Sequence, residues 1–127
     1  MSGTARGKTG FSLMRRTLLI ACLLIGACSK GPEADLQYIK QARSLGAEWA
    51  LVNEQTSQGK LTETYVASMH EWIRQQLETT STSLTQPHAR YAAEIEALRA
   101  LPEDAAPADL RAHSDALKQI ENSLESA

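Results

Sequence analysis

Cysteine is nearly absent from this 127-residue chain: Cys22 and Cys28 are the only two, and none follows Cys28. Whatever folds beyond that point has no internal disulfide and must be held by packing alone. Long apolar runs are missing as well. The most apolar stretch, Thr17 to Ala27, falls well short of the roughly 20 residues needed to cross a hydrocarbon core. There is no Gly-rich phosphate loop, no strand-like alternation of apolar and polar residues, no internal repeat and no nucleophile-elbow context for a Ser/His/Asp series. "HEWIR", His70 to Arg74, opens like the helical zinc-protease motif but carries Arg74 where the second histidine must stand. Negative charge is absent from the start of the chain: all 15 acidic residues lie beyond Cys28, whereas Arg6, Lys8, Arg15 and Arg16 precede it. The remaining nine basic residues leave residues 28–127 with a net charge of −6. An acidic domain of this kind is a poor partner for nucleic acid or for anionic lipid headgroups.

What is present begins with an ordered leader. A Ser/Thr/Gly-rich opening with Arg6 and Lys8 leads to Arg15-Arg16, then to the apolar run, then to small residues and Cys28. Charge, apolar core and small residues in that order make a secretory signal peptide. Ile25, Gly26, Ala27 and Cys28 resemble the lipobox of bacterial lipoproteins. The resemblance implies recognition of Ile25-Gly26-Ala27 by the signal peptidase, cleavage before Cys28 and a thioether from Cys28 to diacylglycerol. The partner it implies is thus the membrane, through two or more acyl chains on Cys28, as stable anchoring requires. Ser29 stands where the family's inner-membrane retention signal has aspartate, which implies the outer membrane facing the periplasm in an organism that has one. An unacylated signal peptide, or an apolar membrane-proximal helix with incidental cysteines, is the alternative. Cys22 also follows small and aliphatic residues but would leave only a few apolar residues before it. Arg15-Arg16 lies in flanks that match the twin-arginine motif poorly. A start at Met14 gives a more economical signal peptide than one at Met1, so a mis-called start covering residues 1–13 stands as the alternative to a start at Met1. The expected organisation is therefore a signal peptide at 1–27, a lipidated cysteine and tether at 28–33, and a folded domain at 34–127.

That domain reads as all-α: a small antiparallel bundle of about four helices. Pro32 suits a first helical position, with Glu33 and Asp35 in the dipole-favoured first turn. Helix 1 is expected to run to about Gln58 with Tyr38, Ile39, Ala42, Leu45, Gly46, Trp49 and Val52 along one face. Gly59 stops it, Thr62 caps the next helix, and Leu61 can staple onto Val66. Helix 2 carries Tyr65, Val66, Met69, Trp72, Ile73, Leu77 and Leu84 and reads as the best-formed amphipathic segment. Folding back around Gly59 sets Trp49 opposite Trp72 and Val52 opposite Met69, with Gly46 letting the two backbones approach. This hairpin is the expected nucleus. "TTSTSLTQP", residues 79–87, is expected to fray or bend. Helix 3 holds Tyr91, Ile95, Leu98 and Leu101, "PEDAAP" is a turn, and Pro107 opens helix 4 with Leu110, His113, Leu117, Ile120 and Leu124 on its stripe. The alternative architecture is one long hairpin with helices 3 and 4 loosely docked.

Chemistry-bearing residues are few. His70, His88 and His113 form no i, i+3 or i, i+4 pair and supply no metal-ligand spacing. His113, in the middle of its stripe, reads first as a hydrogen-bonded core or boundary histidine. The carboxylates Glu94, Glu96, Glu103, Asp104, Glu121 and Glu125 fall on solvent faces or in a turn. Trp49 and Trp72 read as core or boundary packing, with an aromatic grip on a partner as the sharper possibility. The expectation is a non-enzymatic envelope lipoprotein, without cofactor, acting through an envelope protein partner and using Trp49, Trp72 and His113. The competing expectation is a small-ligand or metal carrier with an inter-helix cavity near His113 and the tryptophans.

Overall fold

The computed structural model describes residues 31–127. Ile25, Gly26, Ala27 and Cys28, the signal peptide and the first part of the tether lie outside the described residues. Four helices follow one another, with no strand among the described residues: α1 (Pro32–Ser57), α2 (Glu63–Ser83), α3 (Arg90–Arg99) and α4 (Pro107–Glu125). The protein is a small all-α helical bundle.

The helix ends follow local chemistry. Pro32 and Pro107 open α1 and α4, where a missing N–H costs nothing. Helix α1 thus starts at the first helical position expected from sequence, so Pro32 and Glu33 belong to the helix. The Thr62 hydroxyl accepts the Tyr65 N–H at 3.2 Å and caps α2. Gly59 adopts φ +69°, a left-handed conformation that ends α1 and suits a residue without Cβ. The Thr/Ser segment does not fray before Ser83. Hydroxyls of Thr79, Thr80, Thr82 and Ser83 donate to carbonyls four residues earlier, and Thr80 is buried. Propensity is overridden here because the hydroxyls are satisfied within the helix and one face is covered.

The helices form a ring, α1–α2–α3–α4, closed by α4 against α1, with α2 and α4 on the open diagonal. Neighbours are antiparallel, as cross-helix pairs show. Lys40 meets Glu125, Arg43 meets Glu121 and Glu54 meets Arg111 along α1 and α4. Gln41 meets Gln76, and Asn53 meets His70, along α1 and α2. The expected register of the first hairpin therefore holds, but its primacy does not. The main partner of α1 is α4, with α2 second, which also excludes a loosely docked α4. Gly46 likewise serves a different contact: a Cβ there would meet Leu98 Cδ2 at 3.2 Å and Ser114 Cβ at 3.5 Å, so the absent side chain admits α3 and α4, not α2.

The core joins Ile39, Ala42, Leu45, Trp49 and Ala50 of α1, Ile73 and Leu77 of α2, Tyr91, Ala92, Ile95 and Leu98 of α3, and Leu110 and Leu117 of α4. Helix α2 is less two-sided than its sequence suggests, burying only Ile73, Leu77 and Thr80. Polar residues share the interior. Asp35, predicted as a first-turn charge, is fully buried, accepting from Tyr91 Oη at 2.5 Å, Thr85 N at 2.8 Å and Gln86 N at 3.2 Å. Glu121, placed on a solvent face by sequence, is buried against Arg43 Nε at 2.6 Å. No buried side-chain nitrogen or oxygen among the described residues lacks a partner, as a stable interior requires.

Candidate functional site

The richest polar arrangement lies at the end of the bundle where α1, α2 and the α3–α4 turn meet. Trp49 and Asn53 are one turn apart on the buried face of α1. The Trp49 indole N–H donates to the Glu103 carbonyl at 2.9 Å, and Asn53 Nδ2 donates to the carbonyls of Glu103 and Ala105 at 2.9 and 2.8 Å. Two side chains thereby hold down a turn that has no regular backbone ladder of its own. Because the Asn53 amide nitrogen faces two carbonyls, its Oδ1 is the acceptor toward His70 Nε2 at 2.7 Å, and that nitrogen must carry hydrogen. His70 Nδ1 faces Glu103 Oε2 at 3.9 Å, and Arg74 Nη1 lies 3.6 Å from Glu103 Oε1.

Beside this cluster is a recess of about 40 Å³ floored by Trp49, Ile73, Leu77 and Leu101. Its rim carries His70, Arg74, Arg99 and Glu103. The space holds a few atoms, not a cofactor. No group of three or more His, Cys, Asp or Glu side chains that could hold a metal occurs among the described residues. No helix among them is long and apolar enough to cross a membrane.

The three residues expected to mediate contact are separated. Trp49 is buried and lines the recess. Trp72 does not oppose it across the hairpin: it is 44% exposed, as Tyr65 is 49% and Leu51 50%. Trp49 lies on the flank of α1 aimed at the α3–α4 turn, so equal height along the hairpin does not bring the two indoles together. His113 is half-buried and pairs through Nδ1 with Glu94 Oε1 at 2.6 Å, joining α3 to α4. Glu94 is thus a partnered boundary residue, not a freely solvated one. The recess lies at Trp49 and His70, and His113 is not among its lining residues.

Asn53, Arg99 and Glu103 were not singled out by sequence as members of one site. The available signal was Asn53 itself, a polar residue four positions after Trp49 on an apolar stripe. Arg74 was visible only as the residue that breaks a zinc motif. Compared with protein families, with curated proteins and with solved structures, the chain matches none.

Proposed function

We propose that the protein is a lipid-anchored, non-enzymatic lipoprotein of the bacterial cell envelope that acts through protein–protein contact. The observation that carries the anchoring is the leader, in which Arg15-Arg16, a short apolar run and Ile25-Gly26-Ala27 lead to Cys28. Acyl chains on Cys28 hold the acidic bundle at the periplasmic side of the outer membrane, without help from a basic face. The contact role is supported by Leu51, Tyr65 and Trp72, three large apolar side chains about half exposed on α1 and α2. Tyr65 and Trp72 stand two turns apart on one flank of α2. Amphipathic aromatics of this kind anchor interfaces.

The test is the intact mass of the full-length protein extracted from membranes of cells expressing it, with fragmentation of its N-terminal peptide. A chain beginning at an acylated Cys28 is the expected result. A free thiol preceded by retained leader residues would overturn the anchor. For the contact role, photo-crosslinking groups at positions 65 and 72 should give the same discrete adduct in cells, and one at Ala93, on the exposed face of α3, should not.

A further inference from the structure

The recess at Trp49 is independent of the membrane anchor, and none of the exposed Leu51, Tyr65 and Trp72 lines it. Its floor is apolar and well fixed: Ile73 and Leu77 are buried at 1% exposure, and the Trp49 indole is pinned to the Glu103 carbonyl. Its volume of about 40 Å³ corresponds to roughly three water molecules, the space of a three- or four-carbon side chain. Sites that enclose a whole small molecule are several times larger, about 300 Å³ or more. The recess therefore suits one aliphatic side chain of something larger.

The rim says what that something carries. In a domain with fifteen acidic and nine basic residues beyond Cys28, this small opening gathers two guanidiniums and an imidazole against one carboxylate, Glu103. Arg99 commits Nη1 to Glu96 at 2.9 Å, and Arg74 makes only a 3.6 Å ion contact through Nη1. A guanidinium has five N–H donors, so both arginines keep donors free for an anion. Their planar forks match a carboxylate. The cradle is already built by Trp49, Asn53 and the turn they hold, which limits the ordering cost of binding.

We propose that this recess is a docking site for the C-terminal aliphatic residue of a protein partner, its side chain in the slot and its α-carboxylate between Arg74 and Arg99. Capture of a terminal carboxylate is an established mode of peptide recognition. It differs from an internal apolar contact because it requires the free acid.

The test uses the full chain carrying Trp72→Phe, so that Trp49 is the sole indole. The probes are N-acetylated pentapeptides ending in Val or Leu as the free acid, the same peptides as C-terminal amides, and isovalerate. The free-acid peptides should shift Trp49 fluorescence and the Trp49 indole N–H resonance saturably. The amides should bind about tenfold more weakly or worse, the loss expected when a charge-assisted pair is removed. Arg74→Gln and Arg99→Gln should each weaken the free acid and leave helicity unchanged, both side chains being solvent-accessible. Equal binding of acid and amide would overturn the proposal. So would no response at millimolar peptide, or isovalerate binding as tightly as the peptides, which would make the recess a site for small acids instead.

Discussion

Tyr91 donates its hydroxyl to the Asp35 carboxylate at 2.5 Å inside the bundle, tying the first turn of α1 to the start of α3. The same carboxylate accepts the backbone N–H groups of Thr85 and Gln86, so one side chain also fixes the α2–α3 loop. Asp35→Ala would strand three donors and should cost about 2–4 kcal/mol. Tyr91→Phe should cost about 1–2 kcal/mol, and the double variant less than the sum, because both act on one network. Urea unfolding of the four proteins measures each term.

The pair also predicts the pH profile. Burial alone would raise the Asp35 pKa, but the bonds from Tyr91, Thr85 and Gln86 outweigh it and hold the carboxyl below its ordinary 3.8. Burial, then the adjacent Asp35 carboxylate, pushes Tyr91 above its ordinary 10.0. A depressed acid stabilises above its unfolded pKa and ceases to as pH falls through the folded value. A raised phenol stabilises below its unfolded pKa and ceases to as pH climbs toward the folded value. The pair's contribution should therefore be full between about pH 5 and pH 9 and decline on both sides. Urea midpoints across pH check this, and Asp35→Asn should flatten the acid limb.

Asn53 serves both partners of its amide: Nδ2 holds two carbonyls of the α3–α4 turn while Oδ1 receives His70. Asn53→Leu keeps the size but releases all three, and should cost about 1–3 kcal/mol. Asn53→Asp should be worse, since a carboxylate cannot donate to Glu103 and Ala105. Hydrogen exchange should show the turn loosening before the helices do.

At Gly46 two effects oppose each other. Alanine favours the helix by about 1 kcal/mol, yet its Cβ would press on Leu98 Cδ2 at 3.2 Å, the movable end of a side chain. Gly46→Ala should therefore change stability by less than about 1 kcal/mol. Gly46→Leu drives bulk between α3 and α4 and should cost about 2–3 kcal/mol. Thermal unfolding of the two variants separates the cases.

How much of this was legible beforehand differs by level. Pro32, Gly59, Thr62 and Pro107 marked helix ends because caps and breakers act within a few residues. The apolar stripes gave the all-α class and the antiparallel register. The candidate site was not legible: Trp49 was named, but its partners Asn53 and Glu103 lie about fifty residues apart in sequence. Pairing at that distance leaves no local pattern.

By itself, then, the sequence determined four helices, their ends, the antiparallel order and the acidic charge of the region beyond Cys28. Tertiary structure alone decided that α4 is the main cover of α1, that Asp35 and Glu121 go inside, and that Trp49 faces the turn while Trp72 faces water. The reason is physical: helical period and capping are short-range. A broad apolar stripe leaves open which flank is covered, and only the packing of distant helices and the need to satisfy every buried polar group choose between them.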